Sequence, residues 1–238
     1  MKTKAVKSNK DKVKILSSNL FPVVGVGASA GGLDAFKQLL KAVPENSGMA
    51  YILVQHLDPA HDSILAEILQ KITRIPVQEI TNNIQVEADH IYIIPSNKLL
   101  TATDGVLQLS ARLPKSQRNL PIDVFFTSLA EVHQNHAIGI VLSGTASDGT
   151  LGLKAIKEHG GITFAQSRDS AAYEGMPQSA IEAGVVDYIL SPDQIPQQLL
   201  EVNKSFNNGS GNGAPNRIYN PDEKFRQIIS ILRIRRGV

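Results

Sequence analysis

A serine in a glycine-rich turn is the first residue of this 238-residue chain whose setting suggests chemistry. It lies in the segment VVGVGASAGGLDAF, at residues 23–36. The pattern Gly27-x-Ser29-x-Gly31 is typical of a sharp strand-to-helix turn that presents a nucleophile. The turn therefore predicts covalent catalysis by Ser29.

The same segment also fits a loose dinucleotide fingerprint, Gly25-x-Gly27-x-x-Ala30. Such a site needs an acidic residue at the end of the second strand, roughly 20 residues further on, to bind the ribose hydroxyls. The second apolar run, AYILVQH, ends instead in His56, and Glu45 lies in the loop before that run. The sequence therefore favours the serine interpretation and predicts no bound cofactor.

Two more side chains that acyl transfer requires follow other predicted strands. His56 ends the run AYILVQH, and Asp148 lies in TASDG, directly after AIGIVLSG. Because the carboxyl ends of parallel strands face one crevice, we expect Ser29, His56 and Asp148 to converge there. A hydroxyl, an imidazole and a carboxylate would serve as nucleophile, general base and the group that fixes the base's tautomer.

Backbone amides beside the serine are candidates for binding a developing oxyanion, since the first N–H groups of a helix lack intrahelical partners. The N–H of Ala30 is the first candidate donor. Gly27 and Gly31 permit the sharp turn and a close approach of substrate to the backbone.

Plainer interpretations remain open for each of the three residues. Ser29 could cap a helix, His56 could be a hydrogen-bonded histidine at a strand end, and Asp148 could be the N-cap of the helix in GTLGLKAI. The segment HLDPAHD, at residues 56–62, also offers a rival metal site, but its spacing follows no zinc or two-metal pattern, and no metal is predicted.

Composition places the chain among ordinary globular proteins, with 42% hydrophobic and 19% charged residues and no cysteine. The net charge of +2 arises mainly from a lysine-rich N-terminus without interleaved aromatic residues, so nucleic-acid binding is not expected. No apolar run approaches the roughly 20 residues that span a bilayer. We expect a cytoplasmic protein without membrane insertion.

Short β-rich runs alternate with amphipathic helical segments, which predicts an α/β fold with a doubly wound, mostly parallel sheet flanked by helices in a Rossmann-like three-layer arrangement. Expected strands are 22–27, 50–56, 76–80, 90–95, 106–110, 137–143, 162–166 and 186–190. Expected helices are 32–42, 63–72, 121–132, 150–158, 176–182 and 192–202. The histidines His90, His133, His136 and His159 are expected at strand edges or on helix surfaces.

The expected domain organisation is a single catalytic domain with disordered tails. Residues 1–20 form a basic arm, 21–203 the domain, and 204–220 a linker rich in Gly, Asn and Ser. Residues 221–238 have a helical apolar period without a domain to pack against, which predicts the start of a following domain.

From Phe21 to about Val202 the chain strongly resembles the catalytic domain of chemotaxis protein-glutamate methylesterases, the CheB-type family. The motifs that carry the resemblance are, in order, VVGVGASAGGLDAF, ILVQHLDP, IYIIPSNKLL, PIDVFFTSLAE, GIVLSGTASDGTLGLKAIKEHGG, AQSRDSAAYEGMPQSAI and GVVDYIL. The C-terminal FRQIISILRIRRGV is similar to the opening of a CheR-type methyltransferase domain.

The resemblance implies a bacterial signalling hydrolase in which Ser29, His56 and Asp148 form the catalytic triad. Its substrate would be glutamate γ-methyl esters on a methylated receptor-type protein, with deamidation of some glutamines, and a methyltransferase domain would follow in cis. Thr145 stands beside the expected oxyanion region, where the family usually has methionine. The family's receiver domain is not in this chain. The alternative is a non-catalytic docking or regulatory module that kept the fold.

Overall fold

The computed structural model describes residues 21–55, 64–112 and 120–207. The chain divides into two units, Met1–Asn203 and Lys204–Val238, and all elements except the end of the last helix belong to the first. The strands are β1 Val23–Ala28, β2 Ala50–Gln55, β3 Val77–Glu79, β4 Ile84–Gln85, β5 Ile91–Ile93, β6 Lys98–Thr103, β7 Val106–Ala111, β8 Ala137–Val141, β9 Ile162–Gln166 and β10 Tyr188–Leu190. The helices are α1 Gly32–Ala42, α2 Ile64–Gln70, α3 Pro121–His133, α4 Thr150–Glu158, α5 Gly175–Glu182 and α6 Ile195–Asn207.

Seven of the strands form one sheet in the order β10-β9-β8-β1-β2-β5-β3, and the pairings within it are parallel. β1 is central, with β2 on one side and β8 on the other. The chain winds outward from β1 in one direction first and later in the other, so a topological switch point lies between β1 and β8. A crevice outside the carboxyl ends of the strands is expected there.

The predicted α/β fold is confirmed by this sheet and its flanking helices. β1 and β8 are buried along their whole length, as the apolar runs indicated. α3 and α4 cover one face: a Cβ on Gly25 of β1 would touch the rings of Phe125 and Phe126, and one on Gly139 of β8 would touch Leu153 and Ile156. Glycine in these strands therefore lets two helices approach the sheet closely.

The predicted strand at 106–110 does not belong to the parallel sheet. It is part of β7, which pairs antiparallel with β6 and β4 in a separate sheet of three strands. The sequence pattern predicts no strand at β6 or β4. Asp104 and Gly105, with φ of 36° and 76°, make the two-residue turn between β6 and β7, which is the geometry an Asp-Gly hairpin adopts.

One predicted surface histidine is buried. His133 is the last residue of α3, is only 4% exposed, and has no hydrogen-bond partner at Nδ1. Burial lowers its pKa to about 4, and the nearby His136 contributes in the same direction. No helix in the described part of the chain has the length and apolar character needed to cross a bilayer. The N-terminal arm and the segments from residue 208 onward lie outside the described residues.

Candidate active site

Ser29 lies at the carboxyl end of β1, in the turn that leads into α1. The turn contains Ser29, Ala30 and Gly31, and all three are half-buried. Gly31 has a φ of 72°, and a Cβ there would come within 2.7 Å of Ser143 Oγ. A side chain at position 31 would therefore be strained and crowded, which explains the glycine that follows Ser29 by two residues.

The turn is tied to the end of the neighbouring strand β8. The N–H of Ser29 donates to the carbonyl of Ser143 at 3.0 Å, and the N–H of Gly32 donates back to the carbonyl of Ser29 at 2.9 Å. The next residue, Gly144, lies so close that its Cβ would be 3.0 Å from Ser29 Cβ. The loop after β8 therefore forms one wall beside the serine.

Asp148 is buried and held by the start of α3. Its two carboxylate oxygens accept the N–H groups of Ile122 at 3.1 Å and of Asp123 at 2.9 Å, and it is 2% exposed. Asp148 therefore caps α3, not α4 as its plainer interpretation had it. Ionised acceptors at a helix N-terminus are stabilised by the helix dipole and by the unpaired N–H groups there.

Asp123 provides the cap of α4 in return. Its Oδ1 accepts the N–H groups of Gly149 at 3.0 Å and Gly152 at 2.8 Å. Burial raises the pKa of Asp123, and the negative charge of Asp148 adds to the rise. The two carboxylates thus fix the starts of α3 and α4 reciprocally. Sequence reasoning missed Asp123; an acidic residue just after Pro121 at a helix start was the available signal.

His56, the predicted general base, lies outside the described residues, so its contacts with Ser29 and Asp148 are not described. Its chain neighbour Gln55 ends β2, and the register partner of Gln55 is Ala28, the residue before Ser29. Asp58, His61 and Asp62 of the rival metal interpretation lie in the same undescribed segment.

Of the remaining predicted residues, Gly27 is tightly packed and Thr145 lies on the surface. Gly27 has no room for a side chain, because its Cβ would overlap Ile122 Cγ2. Thr145 is exposed and lines a surface pocket of about 550 Å³. The other lining residues are Ala146, Ala171, Ala172, Tyr173, Glu174 and Gly175.

The far wall of this pocket is the segment Ala171–Gly175, which is hydrogen-bonded to the end of β8. The N–H of Gly144 donates to the carbonyl of Tyr173 at 3.0 Å, and the N–H of Tyr173 donates to Ser143 Oγ at 3.0 Å. The Tyr173 side chain is 50% exposed, and Arg168 donates to Glu174 at the rim at 3.2 Å. The pocket therefore opens to solvent, and its lining combines small uncharged residues and the Tyr173 ring with the acidic side chain of Glu174, which is paired with Arg168.

Comparison with known proteins identifies the family. The family model described as CheB methylesterase matches residues 24–199, from β1 into α6. The chain belongs to the CheB methylesterase family.

Several relatives are named protein-glutamate methylesterase/protein-glutamine glutaminase. A Burkholderia orbicola protein named protein-glutamate methylesterase/protein-glutamine glutaminase 3 is 38% identical over 179 residues, which are 75% of this chain and 53% of that protein. A Leptospira interrogans protein provisionally given the same activity name is 33% identical over 186 residues, 78% of this chain and 96% of its own length. This CheB-family chain thus spans about half of some relatives and nearly all of another.

The fold agrees with a solved structure from the family. The Thermotoga maritima CheB methylesterase catalytic domain superposes with a TM-score of 0.71 at 28% identity, covering 76% of this chain and 98% of that domain. This CheB-family protein therefore has the fold of that catalytic domain.

Proposed function

We propose that this chain hydrolyses γ-methyl esters of glutamate side chains on receptor-type proteins, releasing methanol, and that the same site deamidates glutamine. Membership of the CheB methylesterase family and the names of its relatives support this activity. The observation that carries the proposal is the position of Ser29 at the switch point, in a turn that is hydrogen-bonded to the loop after β8. The same loop carries Asp148, whose carboxylate is fixed by the start of α3.

In the first half of the reaction, Ser29 Oγ attacks the ester carbonyl carbon while His56 accepts the hydroxyl proton. The carbonyl π electrons move onto oxygen and form a tetrahedral oxyanion. When they return, the C–O bond to the methoxy group breaks, and the proton on His56 passes to that oxygen. Methanol leaves, and an acyl-enzyme ester on Ser29 remains.

In the second half, His56 takes a proton from water, whose oxygen attacks the acyl carbon. Collapse of the second oxyanion breaks the bond to Ser29, which recovers its proton from His56. The product is glutamate, and no redox change occurs. With glutamine as substrate, the first leaving group is ammonia and the later steps are the same.

Asp148 would accept the Nδ1–H of His56, which fixes the tautomer with Nε2 facing Ser29 and stabilises the imidazolium. A carboxylate has about four acceptor positions, so its two bonds to the start of α3 are compatible with a further bond to an imidazole. Those two bonds would hold the carboxylate in one orientation.

The open pocket beside the serine supports a substrate side chain that protrudes from another protein. A γ-methyl ester is small and neutral, and six of the seven residues that line the pocket are uncharged, while the seventh, Glu174, is paired with Arg168. Thr145 would lie along the ester rather than react with it.

The proposal includes a cytoplasmic location and a CheR-type methyltransferase domain that follows in cis. The linker composition and the resemblance of FRQIISILRIRRGV to that domain support the fusion. The size of the native polypeptide, measured by immunoblot with an antibody to the catalytic domain, tests it: a band no larger than the 25.7 kDa of this chain contradicts the fusion.

Methanol release from a methylated chemoreceptor tests the activity. Ser29→Ala, His56→Ala and Asp148→Asn should each lower turnover on the order of 10⁴-fold, because each removes a member of a cooperating unit. The matched control is Ser110→Ala, an exposed serine of β7 outside the parallel sheet, which should retain wild-type turnover.

Labelling by a fluorophosphonate decides between catalysis and the alternative of a docking module. An activated serine reacts with such a probe, and a capping serine does not. Peptide mass spectrometry should locate the adduct at Ser29. A folded wild-type protein that neither labels nor releases methanol would favour the docking module.

A further inference from the structure

Ser143 is a buried polar residue that the proposed chemistry does not use directly. It lies two residues after the end of β8, at the switch point, and is 1% exposed. Three of its groups make four hydrogen bonds: the N–H binds Gln166 at the end of β9, the carbonyl binds the Ser29 turn, and the hydroxyl binds both that turn and Tyr173. This hydrogen bonding is denser than a residue that only ends a strand requires.

The Ser143 hydroxyl and carbonyl bind both sides of the Ser29 turn. The carbonyl accepts the Ser29 N–H at 3.0 Å, which fixes the peptide group before Ser29. The hydroxyl donates to the carbonyl of Ala30 at 2.8 Å, which fixes the peptide group that carries the Gly31 N–H. The peptide group between these two is held by the bond from Gly32 N–H to the Ser29 carbonyl.

These bonds use the carbonyl oxygens of the turn but leave two amides available. Among the described residues, the N–H groups of Ala30 and Gly31 donate to no backbone or side-chain acceptor. They belong to the turn that presents Ser29 and are held in orientation by peptide groups whose oxygens are bound. Preorganised N–H donors beside a nucleophile stabilise the charge that develops on the carbonyl oxygen.

Ser143 is itself held from the side opposite the turn. Its N–H donates to Gln166 Oε1 at 2.8 Å, and Gln166 Nε2 donates to the carbonyl of Ser170 at 2.8 Å. Its hydroxyl accepts the Tyr173 N–H at 3.0 Å. The acceptor bond from Tyr173 directs the hydroxyl proton toward Ala30, because a hydroxyl has a single proton to donate.

We infer that Ser143 is a positioning residue whose hydroxyl orients the Ala30–Gly31 peptide, so that the Ala30 and Gly31 amides face the oxyanion formed on the substrate of Ser29. This inference rests on the proposed function and assigns a residue to its oxyanion machinery. Its loss affects the transition state, where the oxygen is charged, more than substrate binding.

The test is Ser143→Ala, compared with Ser128→Ala as the matched control. Ser128 Oγ also accepts a backbone N–H, from Ala102 at 2.9 Å, and donates to a backbone carbonyl, of Phe125 at 2.8 Å. Both variants thus lose the same kinds of bond, but Ser128 lies on α3 away from the Ser29 turn. Similar decreases in thermal unfolding temperature would show that the structural losses are matched.

The measured quantities are the second-order rate of fluorophosphonate labelling at Ser29 and the kcat and KM for p-nitrophenyl acetate. Ser143→Ala should lower the labelling rate and kcat about 10- to 100-fold, less than removal of an oxyanion donor, with KM nearly unchanged. The pH dependence of kcat/KM should keep its midpoint, since His56 and Asp148 are untouched. Ser143→Cys, which keeps a weak donor, should give intermediate rates and replaces the alanine variant if that one fails to fold.

Three outcomes would overturn the inference. Rates for Ser143→Ala within about twofold of Ser128→Ala would leave the hydroxyl without a role in the reaction. A raised KM with unchanged kcat would make it a substrate-binding residue acting through the Tyr173 segment. A shifted pH midpoint would place its effect on His56. Absence of labelling in the wild type is distinguishable from all of these, since it refutes the proposed function itself.

Discussion

Two buried carboxylates with different tasks lie side by side at this site. Asp148 accepts two N–H groups from the start of α3, and Asp123 accepts two from the start of α4. Asp123 lies in α3 and caps α4, and Asp148 lies just before α4 and caps α3. Because Asp123 binds the N–H of Gly149, the residue next to Asp148, it restricts the loop that carries the proposed orienting carboxylate.

Replacing Asp123 tests this dependence. Asp123→Ala should lower the free energy of unfolding by about 1–3 kcal/mol, because it leaves the Gly149 and Gly152 N–H groups unpaired. It should also lower turnover by loosening the Asp148 loop. Asp123→Asn keeps the Oδ1 acceptor, so its unfolding free energy and its turnover should both decrease much less. Urea unfolding and methanol release measure the two effects, and equal losses in the Ala and Asn variants would contradict the capping role.

At the residue scale, the sequence pointed to candidate site residues but not to the contacts that hold them. Ser29 and Asp148 could be found because their neighbours form recognisable strand and turn patterns. Ser143 could not, because its partners come from segments distant in the chain, and the Pro121 signal beside Asp123 does not indicate which helix Asp123 caps. The bond from Ser143 Oγ to the Ala30 carbonyl, for example, joins residues 113 apart. Such pairings follow from the strand order, which sequence periodicity does not provide.

At the element scale, the contact between β1 and α3 determines where the site lies. Ile122 in the first turn of α3 packs against Gly27 of β1, and the N–H of the same Ile122 donates to Asp148. The distance between helix and strand therefore sets the distance between Asp148 and the serine turn. A larger residue on β1 would therefore move α3 away from the strand and Asp148 away from the serine turn.

Gly27→Ala tests this coupling, with Gly25→Ala as its control on the same strand. Both added methyl groups meet α3: the first would overlap Ile122, and the second would lie 2.8 Å from the Phe126 ring. Each should destabilise the fold by about 1–3 kcal/mol through overpacking. Only Gly27→Ala should also lower turnover strongly, since Ile122 holds Asp148. Unfolding curves and methanol assays measure both quantities; equal activity losses would argue against the coupling.

Elements with one strong periodic pattern were predicted well. α1, α4 and β9 have the predicted bounds, because apolar spacing and flanking glycines define them. The hairpin of β6 and β7 was not predicted, because Asp104-Gly105 was not recognised as a hairpin turn. β7 was therefore assigned to the parallel sheet, whereas it pairs antiparallel with β6. β4 has two residues, too few for any period. Pairing with β7, a tertiary contact, is what makes it a strand.

At the scale of the whole molecule, acid stability should depend on His133. Burial, with a contribution from His136, lowers its pKa to about 4, while Asp104 opposes the shift. In the unfolded chain, His133 becomes protonated as the pH falls below about 6.5, whereas in the folded protein it stays neutral down to about pH 4. The contribution of His133 to stability is therefore present above about pH 6.5 and is lost as the pH falls toward 4.

His133→Leu should remove this pH dependence. Between pH 7 and pH 5 the wild type should lose about 2 kcal/mol more of its unfolding free energy than the variant. Urea unfolding at the two pH values measures the difference. A variant that loses as much as the wild type would mean that His133 is not the group responsible.

The winding of the sheet in two directions from β1 has a consequence for biosynthesis. Ser29 leaves the ribosome early, whereas its contact residue Ser143 is added 113 positions after Ala30. Non-local pairings form slowly and only after both partners exist. A nascent polypeptide therefore has its proposed nucleophile long before the turn around it can fold, and translation through β8 and the Asp148 loop must precede the proposed demethylation.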